Sequence, residues 1–149
     1  MSLTSPMNKM SKSAPNHRSR ILVTASPDEI RQRIMGAVTD SLTTVTYEPV
    51  KRPAVANLLE ILSQCIPGNP TPASLASDLA GENLGSFKRR VVEAVTRELE
   101  GIRDRYEEAL QRTGGKYLDD IQALGAQKAR ENAADTMRRI RDAVGLSAS

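Results

Sequence analysis

Two lysines three residues apart, Lys9 and Lys12, stand in the run Lys9-Met10-Ser11-Lys12-Ser13. Lysine carries a compact cation on a flexible stem, and serine hydroxyls add donors and acceptors, so a loop of this composition can wrap a phosphate chain. The reaction suited to it is attack of a carboxylate on the α-phosphate of ATP. Negative charge then builds on the departing pyrophosphate, and two positioned cations stabilise that transition state more than the ground state. Lys9 and Lys12 are therefore the candidate catalytic residues, and Met10, Ser11 and Ser13 complete the candidate ATP-binding loop. The competing reading of a charged, serine-rich pentapeptide is an ordinary solvated loop.

Other chemistry is restricted by what the 149 residues contain. Cys65 is the only cysteine and His17 the only histidine, which excludes an internal disulfide, a cysteine-rich zinc site and a multi-histidine metal site. Cys65 is expected to be a small buried hydrophobe and His17 a polar loop residue. Asp40 lies where a helix should end, and a structural role is favoured over a link to another domain. Candidate RNA contacts are Lys88, Arg89 and Arg90 near the start of a long helix and Arg138, Arg139 and Arg141 near the end of the chain. Acids interleave with these cations and only four aromatic side chains could stack on bases, so a solvated helix face is the plainer reading. The net charge of +3 is concentrated at the front, since residues 1–25 hold Lys9, Lys12, Arg18 and Arg20 and no acid. No apolar run approaches the roughly 20 residues needed to span a bilayer, so no membrane segment is expected.

The elements that must position these residues read as helices. With 3% aromatic residues and an apolar content rich in Ala, Leu, Ile and Val, an all-α body is expected. It should be a bundle of about five helices preceded by an extended segment, dividing into residues 1–25 and 26–149. Ser26-Pro27-Asp28-Glu29 combines an N-cap, a first-turn proline and two acids, predicting a helix from Pro27 to about Thr39 with Ile30, Ile34, Ala37 and Val38 inward. Thr43 to Pro53 reads as an extended connection. Val55, Leu58, Leu59 and Leu62 predict a second helix, and Thr71-Pro72 with Leu75, Ala76 and Leu79 a short third one capped by Gly81. Phe87, Val91, Val95, Leu99, Ile102, Tyr106 and Leu110 form the longest stripe, with Ser86 as cap and Gly114-Gly115 as stop. The last stripe runs from Tyr117 to Val144 and slips at Gly125, predicting two helices or one kinked helix whose small residues approach a neighbour closely.

The pentapeptide is the signature of the class I aminoacyl-tRNA synthetases. The blocks behind it resemble the tryptophanyl branch: Ala37-Val38-Thr39-Asp40-Ser41, Arg52-Pro53-Ala54-Val55-Ala56-Asn57-Leu58-Leu59, Phe87-Lys88, Arg105-Tyr106, Tyr117-Leu118-Asp119 and Lys128-Ala129. The tyrosyl relatives usually carry another version of the loop. One departure is Ala14, where the family usually has Asp or His directly after the loop.

The resemblance implies a tryptophan-tRNA ligase, a homodimer when complete, that uses ATP with Mg2+, tryptophan and tRNA(Trp). It implies that Lys9 and Lys12 bind ATP phosphates, and that residues 1–25 close a catalytic domain while the helices behind reach the anticodon. Met1-Ser2-Leu3 resembles an internal stretch of the family, so the chain reads as a C-terminal fragment. It lacks the nucleotide-binding fold and is expected to be inactive alone. Arg18-Ser19-Arg20-Ile21-Leu22 is similar to fungal mitochondrial members, which suggests a mitochondrial matrix, with bacterial cytoplasm as the alternative. A competing class of explanation is a freestanding helical tRNA-binding or interaction module, possibly behind a mitochondrial presequence.

Overall fold

The computed structural model describes residues 1–146, and among them the only regular elements are helical. Five α-helices follow an irregular segment: α1 (Pro27–Met35), α2 (Pro53–Cys65), α3 (Pro72–Asp78), α4 (Leu84–Gln111) and α5 (Lys116–Ala143). Single 3-10 turns cover His17–Ser19 and Arg112–Gly115. No helix is long and apolar enough to cross a membrane among the described residues.

Two compact units divide between Asp104 and Arg105. Leu3 and Ala25, from the segment ahead of α1, are buried in the same core as the helices behind them. That core is built on Phe87, Ile30, Ile34, Val45, Val55, Leu58, Leu59, Leu62 and Val91, all essentially removed from water. These are the inward positions of the helical stripes, together with one β-branched residue of the extended connection.

Local chemistry explains the helix ends. Ser26 Oγ accepts from the Glu29 amide at 3.3 Å while Glu29 Oε2 accepts from the Ser26 amide at 2.9 Å, a reciprocal cap. Thr71 Oγ1 likewise accepts from the Ser74 amide at 3.2 Å. Helix α1 stops at Met35 rather than Thr39. The Ala37 amide turns back to the Ile34 carbonyl and the Val38 amide donates to the Leu3 carbonyl at 2.9 Å, so residues after Gly36 leave the helix to hold the irregular segment around Leu3. Val38 is consequently half-exposed rather than inward. Leu79, not Gly81, closes α3, and Gly81 does not adopt a left-handed conformation. Asn83, not Ser86, caps α4, its Oδ1 accepting from the Ser86 amide at 2.9 Å.

The second unit, from Arg105 onward, contains the end of α4, a turn and α5. Thr113, Gly114 and Gly115 take positive φ values of 53°, 63° and 90°, so the predicted stop is where the chain reverses its backbone twist. The Arg112 guanidinium sits 4.6 Å from the centre of the Tyr117 ring. Helix α5 is one unbroken helix through Gly125, and none of its residues is buried. Each turn of an α-helix is held by its own backbone bonds, and a single glycine without a proline or an inserted group does not interrupt them.

Candidate functional site

The lysine loop is suspended between fixed points. At its front the Ser2 amide donates to the Asn8 carbonyl and the Asn8 amide to the Ser5 carbonyl, both at 2.8 Å, forming a closed turn. Met10 packs partly buried against the core and anchors the middle. Beyond it the Ala14 amide donates to the Ser11 carbonyl at 3.3 Å, so Lys12 and Ser13 occupy the crest of a turn. The Ser11 and Ser13 hydroxyls lie 3.1 Å apart. The Lys9 and Lys12 side chains are exposed and enter no ion pair among the described residues. Two free ammonium groups, two hydroxyls and an open approach are what phosphate oxygens require. The loop and its flanks contain no carboxylate to repel them.

The rear of the loop is held by Arg20, which is only 7% exposed. Its Nη1 donates to the Ala14 carbonyl at 2.7 Å and reaches the Ser11 carbonyl at 3.5 Å, and its Nη2 lies 2.8 Å from His17 Nδ1. A guanidinium has no acceptor, so Nδ1 takes the bond and the imidazole proton resides on Nε2. Backbone on both sides of this side chain is fixed: the Leu3 amide donates to the Ser19 carbonyl, and Arg33 Nη1 donates to the Arg20 carbonyl at 3.3 Å.

Behind the loop, a second buried arginine organises the connection between α1 and α2. Arg52, 4% exposed, donates from Nε and Nη2 to both oxygens of Asp40 at 2.8 and 2.7 Å. Its Nη1 donates to the Thr44 carbonyl and Thr46 Oγ1 at 2.9 and 2.7 Å. These bonds hold the Asp40 carboxyl below the ordinary carboxylate range, chiefly through the Arg52 side chain. Asp40 thus has the structural role expected of it.

The six candidate RNA contacts fall into different environments. Lys88 is buried, and its ammonium donates to the Ala37 carbonyl at 2.8 Å, with the Met35 carbonyl at 3.5 Å, where α1 ends. Burial lowers its pKa from the ordinary lysine value. Its charge satisfies orphan carbonyls where α1 ends and, unlike Arg89 and Arg90, is not exposed. Arg89 donates to Ser86 Oγ at 2.9 Å and Arg90 to Glu82 at 3.0 Å, both on the surface. Arg138 is paired with Asp135 at 2.8 Å, while Arg139 and Arg141 are exposed. The first trio and the second lie in different compact units. Cys65 is half-buried, its thiol pushed up by burial and then by Glu98, which suits an inert side chain. Among the described residues no cluster of His, Cys, Asp or Glu could hold a metal.

Arg20 and Arg52 are the site residues that sequence reasoning passed over as individuals. Arg20 bonds two main-chain carbonyls, which leave no mark in the sequence, and Arg52 bonds Asp40, Thr44 and Thr46, six to twelve positions away.

Comparison with known proteins places this arrangement. The sequence profile described as tRNA synthetases class I (W and Y) matches residues 1–100. The tryptophan–tRNA ligase of Bacillus subtilis (strain 168) is 37% identical over 146 residues, which is 98% of this chain and 43% of that protein. The corresponding ligase of Listeria monocytogenes serovar 1/2a is 40% identical over 146 residues, with the same coverage of 98% and 43%. A crystal structure of tryptophanyl-tRNA synthetase from Mycoplasma pneumoniae superposes with a TM-score of 0.73 at 25% identity, over 99% of this chain and 45% of that one. The chain spans less than half the length of these relatives.

Proposed function

The chain belongs to the class I tRNA synthetases of the tryptophan and tyrosine branch, and from that premise we propose that it supplies the phosphate-handling loop and the helical C-terminal part of a tryptophan–tRNA ligase. The substrates are ATP with its Mg2+, tryptophan and tRNA(Trp), and the complete protein acts as a homodimer. The observation that carries the reading is the pair of unpaired ammonium groups, Lys9 and Lys12, on an acid-free turn fixed at both ends. Tryptophan as the amino acid is supported by the relatives, which are tryptophan ligases over 98% of this chain. Those relatives are bacterial. They support the cytoplasm of a bacterium as the compartment and lend nothing to a mitochondrial matrix.

In this mechanism the loop meets the β- and γ-phosphates of ATP as the tryptophan carboxylate attacks the α-phosphate. The Lys12 ammonium, held at the crest of the Ser11–Ala14 turn, and the Lys9 ammonium at the loop's entry take up the charge that develops on pyrophosphate. Ser11 and Ser13 add hydroxyl donors. The residues of the loop suit phosphate oxygens and not a metal ion, so Mg2+ would arrive with the nucleotide rather than through side chains of this segment.

The test is tryptophan-dependent exchange of pyrophosphate into ATP. The full-length protein carrying these residues should exchange, and Lys12→Ala should lower kcat by about 100-fold, the usual effect of deleting one donor to a developing charge. KM for tryptophan should stay unchanged. The 149-residue chain by itself should show no exchange, and a measurable rate from it would contradict the reading. Charge reversal of Arg89 and Arg90 should weaken tRNA charging and spare exchange if the surface near the start of α4 meets RNA.

A further inference from the structure

We infer that Arg20 is the positioning residue of the lysine loop: its buried guanidinium, seated on His17, latches the two carbonyls that flank Lys12 and so sets where that ammonium points. The inference rests on the phosphate-handling reading of the loop for its purpose, and on geometry for its existence.

Arg20 is buried and has no carboxylate partner among the described residues, an arrangement that persists only where other acceptors compensate the charge. Those acceptors are the Ala14 carbonyl at 2.7 Å, the Ser11 carbonyl at 3.5 Å and His17 Nδ1 at 2.8 Å. Ser11 and Ala14 are the two ends of the turn that the Ala14 amide closes at 3.3 Å, and Lys12 is the first residue of its crest. One rigid fork therefore holds both ends of a four-residue turn. The side chain's own base cannot drift, because the Ser19 and Arg20 carbonyls accept from the Leu3 amide and from Arg33. Arg33 is in turn paired with Glu29 at 2.9 Å within α1. A continuous path runs from the cap of α1 through Arg33 and Arg20 to the turn bearing Lys12. The Lys12 ammonium itself takes no part and stays available to a ligand.

The planar fork is specific to arginine. A lysine at position 20 offers three donors on one compact nitrogen and lacks the planar fork, so it cannot reproduce the paired Nη1 and Nη2 geometry that holds the Ala14 carbonyl and the imidazole. His17 is exposed and serves only as the seat for Nη2, so its removal loosens the latch while leaving the two carbonyl contacts.

Limited trypsin digestion of the native chain reads the latch directly. Arg20→Gln should raise the rate of cleavage after Lys9 and Lys12 by about tenfold, the range set by one net hydrogen bond. Arg20→Lys should fall between it and the wild type, and His17→Ala should raise the rate about twofold to threefold. Cleavage after Arg31, Arg33 and Arg89 should be unchanged. A uniform rise at all sites, or no rise at the loop, would overturn the latch, and His17→Ala keeps the test available if Arg20→Gln does not fold. In the full-length protein Arg20→Gln should lower kcat for pyrophosphate exchange by at least tenfold with KM for tryptophan constant, and Arg20→Lys should recover part of it. If Lys12→Ala leaves exchange intact while loop cleavage rises in Arg20→Gln, the ATP reading fails and the latch stands. If Lys12→Ala abolishes exchange and Arg20→Gln leaves it intact, the positioning role is refuted.

Discussion

Asp40→Ala is the perturbation whose size the structure sets most tightly. It removes two charge-assisted bonds, of 2.8 and 2.7 Å, from a guanidinium whose side chain is 4% exposed. Hydrogen bonds to charged groups contribute about 1.5–3 kcal/mol each, and breaking a fully buried ion pair costs about 3–5 kcal/mol. The Asp40 side chain is 31% exposed, so water can reach the vacated space, and Arg52 keeps its bonds to Thr44 and Thr46. Both considerations lower the figure to about 2–3 kcal/mol. Amide exchange of α2 as a function of urea measures it in the unit concerned, without the signal of α5. Arg52→Met and the double variant complete a cycle, in which a coupling of about 2 kcal/mol is expected. The pH dependence follows from the carboxyl's lowered pKa. A depressed pKa in the folded state stabilises above the unfolded value, near 3.8 for aspartate, and that contribution is lost as pH falls towards the folded value. Wild type should therefore lose stability below about pH 4 by a component that Asp40→Ala lacks. A destabilisation under about 0.5 kcal/mol, the size of an ordinary surface substitution, would refute the reasoning.

Two further outcomes follow from other bonds of the first unit. Ser26→Ala removes one half of the reciprocal cap on α1 and should cost about 1 kcal/mol by the same exchange measurement, read on α1 amides. Lys88→Met keeps the apolar stem but leaves the Ala37 carbonyl unsatisfied, so a loss of about 1–2 kcal/mol is expected from urea unfolding of the first unit; tRNA affinity at matched folded fraction should not change. A drop in that affinity without a stability loss would return Lys88 to the RNA-facing set.

What the sequence made legible depended on whether a signal was local. Ser26, Thr71 and the prolines after them act within one turn, and they mark the starts of α1 and α3 correctly. The stripes through Leu58, Leu62, Phe87 and Val91 mark the core because helical periodicity is a property of consecutive residues. The end of α1 carried one local signal, its C-cap Gly36, while the path the chain takes next is fixed by Val38 pairing with Leu3, thirty-five positions earlier. Lys88 carried a usable signal. It follows Phe87 and stands three residues before Val91, on the inward face of α4, and grouping it with Arg89 and Arg90 by adjacency ignored the 100° between helical neighbours. Arg20 carried almost none. Its acceptors are two carbonyls and an imidazole, and a carbonyl belongs to every residue type.

These placements alter what the net charge of +3 means. Arg20 and Lys88 are buried and, among the described residues, have no carboxylate partner; they bond main-chain carbonyls and, for Arg20, His17, so two of the cations that make up the count are not on the surface. A bulk surplus is therefore a poor guide to a polyanion-binding surface here. The outward-facing cations of α4 and α5 share their helices with acids, and Arg90 and Arg138 are already paired. The longest acid-free stretch of the sequence, residues 1–27, holds the exposed cations Lys9, Lys12 and Arg18. Screening weakens isolated surface charges over about 8–10 Å, so a ligand with several phosphates close together gains more from this short cluster than a polymer spread along the helices does. The burial of Arg20 behind the turn is what keeps that cluster short, because it ties the turn to α1 while leaving the two ammonium groups in water.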